Sequence, residues 1–419
     1  MGDRADGEEP DEWRRVRRYL NGHRHELTRA ADSLYPSLDR VGPTALLCPA
    51  GWLPAAPVSL DDVTLSWDRE VPPPRVDGTE PQARAVRPEG ADGLRFTDYA
   101  DALASLDPPS LFENRMCYRL TSVTFGEGGL SLAFGAGTYF AGINVGEAVA
   151  HEFAAWIMRG PTGSGTGSGA ATGSGGAAVS GGVAMPAAPR LADLPLRDFV
   201  GNPADLTGRC VNPAISMLTL RKDRAGTMSF LLHHRDPAHV AHGGGLYQVI
   251  PVGVFQPSND SPAALHEDFD LWRCAVREYG EELLGMPESY GDGAFGYEAW
   301  PLYQALSEAR RDGSLASYVL GIGVDPLSLA TDILAVTVIG ADVFDDLFRA
   351  IVASNAEGSV LGDGRGDGRG DGRGDGTRGL AFTEGNVERF VRREPMQAAG
   401  AAVLWLAWRH RDLLTAASR

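Results

Sequence analysis

Residues 160–182, GPTGSGTGSGAATGSGGAAVSGG, limit most strongly what this chain can fold into. Glycine, serine, threonine and alanine bring little apolar area, so the stretch cannot offset the entropy of ordering its own backbone. A packed core has to come from the chain on either side of it. A second stretch, 362–376, repeats Gly-Asp-Gly-Arg without interruption. Its charges balance and it too reads as a low-complexity insertion in a loop. These two stretches divide the chain into a smaller N-terminal α+β unit at 1–159, a linker at 160–195 and a second unit at 196–357. The repeat follows at 358–380, and helices at 381–419 are expected to cover one face of the second unit's sheet.

The chain has 419 residues, enough for two or three domains with sizeable cores. With 38 basic and 55 acidic residues its net charge is −17, which argues against a broad nucleic-acid-binding surface. Four cysteines are scattered with no C-x-x-C spacing. That suits a reduced, cytoplasmic protein and argues against a zinc site. The start, MGDRADGEEPDEWRR, has no apolar signal core. The longest apolar run, 398–408, falls short of the ~20 residues of a membrane span, so no membrane association is expected.

Along the chain, 11–34 reads as a helix with Trp13, Val16, Tyr19 and Leu20 on one side. Arg14, Arg15, Arg17 and Arg18 then form its wet face. Short apolar runs at 45–48 and 63–67 are candidate strands, and 118–125 with 130–134 form a hairpin. Asn144 is placed to cap a helix, with Glu147 three residues on. His151-Glu152 opens a zinc-protease pattern, but Ala155 stands where its second histidine belongs, and that reading fails. After the linker, 214–221 and 227–233 read as a hairpin and 246–253 as a third strand. Trp300 opens a helix to 310, strands follow at 318–324 and 333–339, and helices are expected at 343–352, 383–393 and 396–414. Four histidines lie between 233 and 242, in a loop with Pro237 and a glycine run that offers no regular ligand geometry. Arg235 in that loop is the candidate phosphate contact, since a guanidinium recognises phosphate through paired donors.

Residues 269–285, FDLWRCAVREYGEELLG, carry the chemistry. As a helix they put Trp272, Ala275, Val276, Tyr279 and Leu283 on one apolar stripe. Glu278, Glu281 and Glu282 fall at i, i+3 and i+4, so their carboxylates cluster elsewhere. Three carboxylates on one turn repel each other, an arrangement that a divalent cation would offset. A solvated Glu-rich helix face produces the same pattern. The order Arg277-Glu278-Tyr279-Gly280-Glu281-Glu282 resembles the R-E-U-x-E-E core of the Nudix box.

That resemblance implies a Nudix-like α/β/α sandwich in the C-terminal half, within an α+β chain. It implies Glu278, Glu281 and Glu282 as ligands of Mg²⁺ or Mn²⁺, with Arg277 beside Glu281 and Glu282 in the catalytic group. It implies a nucleotide-derived small molecule as partner and hydrolysis of a nucleoside-diphosphate derivative, with the N-terminal unit shaping substrate choice or assembly, a homodimer included. The family's first box glutamate, eight residues before the arginine, is Phe269 here, with Asp268 and Asp270 beside it. Extra residues at 256–266 separate Gly253 from the helix. These departures keep open a non-catalytic nucleotide-binding sensor, and beyond it an interaction protein whose Glu-rich helix is coincidental. Asp325 and Asp332, at the edges of the later strands, are the candidate general bases.

Overall fold

The computed structural model describes residues 9–109, 112–160, 189–235, 245–287, 293–349, 351, 358–361 and 379–417. Residues 161–188, the whole Gly-Asp-Gly-Arg repeat at 362–376, and the loop with His239 and His242 lie outside them. The expected N-terminal helix is two helices, α1 (Pro10–Gly22) and α2 (Arg24–Ala31), broken at His23. Pro10 suits a first-turn position, where its missing N–H is not needed. Trp13, Val16 and Leu20 are buried as their spacing requires, but so is Arg17. The reading of all four arginines as a wet face is thereby corrected. Glu147, 2.5 Å from the Arg17 guanidinium, holds that charge inside.

Strands β1 (Asp39–Arg40), β2 (Leu47–Cys48), β3 (Val58–Ser59) and β4 (Val63–Trp67) come next. Helices α3 (Pro81–Ala85) and α4 (Tyr99–Leu106) lead to the hairpin of β5 (Met116–Gly126) and β6 (Gly129–Thr138). Helix α5 (Tyr139–Arg159) follows β6 at once, so Asn144 is an interior position and not the cap. Its Oδ1 instead accepts the Ala100 N–H at 2.8 Å, tying α4 to α5.

Beyond the linker lie α6 (Pro195–Val200), β7 (Ala214–Lys222), β8 (Met228–Phe230) and β9 (Leu232–Arg235). The single strand expected at 246–253 is two, β10 (Tyr247–Val249) and β11 (Val252–Val254). Pro251 between them has no N–H for a ladder. As a result β10 pairs with β9 and β11 with β7, in different sheets. Then come α7 (Pro262–Glu267), α8 (Leu271–Leu284), α9 (Pro301–Asp312), β12 (Leu315–Val324) and β13 (Thr331–Gly340). The chain closes with α10 (Ala341–Leu347), β14 (Gly358–Leu361), β15 (Leu380–Ala381), α11 (Glu384–Arg392), α12 (Ala398–Arg409) and α13 (Arg411–Ala417).

Helices and strands of this α+β chain meet in a mixed sheet ordered β1-β2-β12-β13-β7-β8-β15, with β3 beside β12 and β11 beside β7. β13 runs parallel to β7 and antiparallel to β12. Both central strands are buried along most of their length, because helices cover both faces. On one face Tyr279 of α8 bonds Thr219 of β7 at 2.7 Å. Side chains alternate along a strand, so Ser216 and Leu218 of β7 point the other way, where α12 packs. Strands β2 and β3 precede the linker yet pair with β12, which follows it. One hydrophobic cluster runs from Trp13 to Leu414. The boundary expected at 160–195 therefore falls between elements that share a sheet and a core. Among the described residues no helix is long and apolar enough to cross a membrane.

Candidate functional site

Helix α8 begins at Asp270, whose side chain accepts the Arg273 N–H, and ends at Gly285 in the left-handed conformation. The whole apolar stripe expected from the sequence is buried. The three glutamates do not share one environment. Glu278 and Glu281 are partly exposed, whereas Glu282 is buried. The Glu278 carboxylate lies against β11, where a Cβ at Gly253 would collide with it. Among the described residues no group of three or more His, Cys, Asp or Glu side chains is gathered to hold a metal ion. The described side chains thus do not by themselves assemble the expected Mg²⁺ or Mn²⁺ site.

Arg277 is buried, and it faces Asp268 at 3.3 Å. It also donates to the Tyr297 hydroxyl at 2.7 Å and to the Gln256 carbonyl at 2.5 Å. Asp268 is fully buried, accepting from Tyr297 Oη and from the Ser258 N–H, both at 2.6 Å. Phe269, in the place of the family's glutamate, packs among Trp67, Tyr118, Phe134 and Phe255. The acid is one residue earlier, and the chain between α7 and α8 turns it inward.

Arg235 ends β9 and lines a cavity of about 280 Å³ at the junction of β11, α5 and the loop before β13. Asp332, Glu147 and Arg209 share that wall. Arg209 is buried and donates to the Leu329 carbonyl and to Thr331 Oγ1, holding the loop in which Leu329 adopts φ 58°. Burial lowers its pKa to about 10, which leaves it cationic at neutral pH. Glu147 pairs with Arg17 and, at 2.7 Å, with Arg24.

The two candidate bases separate. Asp325 accepts from the Leu327 and Ser328 N–H groups and from Ser328 Oγ, so it shapes the β12–β13 loop. Asp332 accepts from Ser216 Oγ at 2.8 Å. Burial raises its pKa to about 7, against the pull of Ser216 and with the push of Asp325. His151 is a core residue, stacked on Trp13 and 3.1 Å from Tyr99 Oη. Glu152 accepts the Leu196 and Arg197 N–H groups at the start of α6. His233 is buried in β9, while His239 and His242 lie outside the described residues.

Sequence reasoning missed Arg209, Glu147 and Arg24 as members of one polar interior. Their partners lie more than a hundred residues away, and no local spacing announces them. No protein-family model matches the chain, and no curated protein matches it.

Proposed function

We propose that this chain is a Nudix-like α/β/α protein that binds a nucleotide-derived small molecule bearing a diphosphate, as a sensor of it in the cytoplasm. The observation that carries this reading is Arg235 at the wall of a 280 Å³ cavity, beside the strand that leads toward the box-like helix. A guanidinium in such a wall suits paired contacts to phosphate. The order of strand, box-like helix and later strands, with helices on both sheet faces, supports the fold half of the proposal. Four free cysteines, all buried, suit a reducing compartment.

One observation favours hydrolysis as a second reading. Asp268 supplies, one position out of register, the buried acid that Arg277 requires. In that reading Glu278, Glu281 and Glu282 hold Mg²⁺ or Mn²⁺, and Arg277 positions the helix. The ion would neutralise diphosphate charge and activate water. Among the described residues the carboxylates do not gather around one point.

The two readings separate in one experiment. The protein is incubated with Mg²⁺ or Mn²⁺ and a panel of nucleoside-diphosphate derivatives, beside Glu281→Gln and Glu282→Gln. A ligand-dependent thermal shift without turnover supports the sensor. Turnover that both variants lose supports the hydrolase, and neither signal overturns both.

A further inference from the structure

The 280 Å³ cavity has a neighbour of about 210 Å³, and Ala330, Asp332 and Gln397 belong to both walls. Each alone is smaller than a usual ligand pocket of roughly 300–1,000 Å³, and together they reach that range. Asp332 stands at the start of β13, in line with Ser216, on the sheet face that α12 covers. Helix α8 and its glutamates lie across the sheet. Asp332 is only 8% exposed. Its Oδ1 has the Ser216 hydroxyl, while Oδ2 receives no hydrogen bond from a described residue. That oxygen is open to the cavities, where it can accept from a ligand donor.

The second cavity has a cationic side. Arg24 is buried in its wall, where it shares Glu147 with Arg17, and Arg29 reaches it from the exposed face of α2. The first turn of α12 completes that side with Ala398 and Ala399, and an N-terminal turn presents backbone N–H groups that favour negative charge. The acids nearby are engaged: Asp32 with Arg40, and Asp325 with its own loop. Arg235 stands in the other cavity.

We propose that the two cavities are one ligand chamber, on the sheet face opposite the box-like helix. It takes a phosphorylated nucleoside with phosphate against Arg29, Arg24 and the first turn of α12. A ribose hydroxyl or base amino group donates to Asp332, and a second phosphate or terminal group meets Arg235. This rests on the nucleotide-binding reading and adds where the ligand lies.

Calorimetric titration of the full chain with ADP-ribose, and with inorganic phosphate, tests it in the absence of divalent cation. Arg29→Ala and Asp332→Asn are the test variants, and exposed Arg15→Ala on α1 is the control. Retention of the wild-type circular dichroism and melting temperature at low pH shows that the variants are folded. The chamber predicts that each test variant weakens ADP-ribose binding by about tenfold while the control does not, and that only Arg29→Ala weakens phosphate. If both variants bind like wild type, or if binding appears only with added Mg²⁺ and Glu281→Gln then abolishes it, the ligand lies elsewhere, at the box-like helix in the second case. The chamber is then overturned while the nucleotide-binding reading stands. If the wild type binds no nucleotide derivative with or without Mg²⁺, both fall together.

Discussion

The carboxylate of Asp268 lies 3.3 Å from the guanidinium of Arg277, and both side chains are buried. Removing one partner leaves the other charge uncompensated in the interior, at a cost of about 3–5 kcal/mol. Asp268→Ala should therefore lower the free energy of urea unfolding by that amount. Adding Arg277→Met to it should recover part of the loss. A cost below about 1 kcal/mol for the single change would show that the pair does not hold α8 in place.

Phe269→Glu restores the family's acid by name, but its side chain enters an aromatic cluster rather than the space beside Arg277. Phe269 is half-buried, so the change removes ring contacts and sets a charge against an aromatic cluster, and it should destabilise by about 1–3 kcal/mol. It should add no turnover toward diphosphate substrates. A variant as stable as wild type, or newly active, sinks this account of the register.

Gly253→Ala probes Glu278. The new methyl meets only the end of that side chain, which can swing away, so the melting temperature should change little. If Glu278 helps hold a cation, Mn²⁺ affinity measured by paramagnetic resonance should fall by about tenfold. Unchanged affinity removes Glu278 from the ligand set.

Glu147→Gln leaves Arg17 and Arg24 buried without their shared carboxylate. A loss of about 3–5 kcal/mol is expected. Amide exchange should rise first in α1 and α2, which that carboxylate ties to α5. Exchange that rises uniformly instead would contradict the docking role.

Asp332 gives stability a pH dependence of definite sign. Its carboxyl titrates at about 7 in the native state and at the ordinary carboxylate value of 3.8 when unfolded. The native state thus keeps the proton longer. Its contribution is fully present below the unfolded value and is lost as pH rises through about 7, by at most about 4 kcal/mol. Chemical unfolding across that window should show a steeper decline for wild type than for Asp332→Asn. Parallel profiles would place the titration elsewhere, since His25 and Asp32 also line these cavities.

Local signals were legible and distant ones were not. Helix α8 lies within the stretch read from its spacing, because Asp270 and Gly285 cap it through neighbours a few residues away. The β12–β13 pair was readable from its apolar runs, whereas the single helix expected at 396–414 is two, α12 and α13, divided at His410. Strand β2 falls in the run read at 45–48, but β3, two residues long, carries no periodicity and pairs with β12 from far along the chain. Arg17 shows the limit most clearly. On its helix it looks like any surface arginine, and only Glu147, far along the chain, makes burial possible. Asp268 was noticed beside the expected position, but its inward turn depends on Ser258 and Tyr297, which no box spacing includes.

Strands β2 and β3 lie on one side of residues 161–188, and the edge they complete lies on the other. A cut there places strands of one sheet on two polypeptides, each lacking the other's edge. Two polypeptides, 1–160 and 189–419, expressed together should find each other and rebuild the fold by fragment complementation. Either one made alone should go to inclusion bodies.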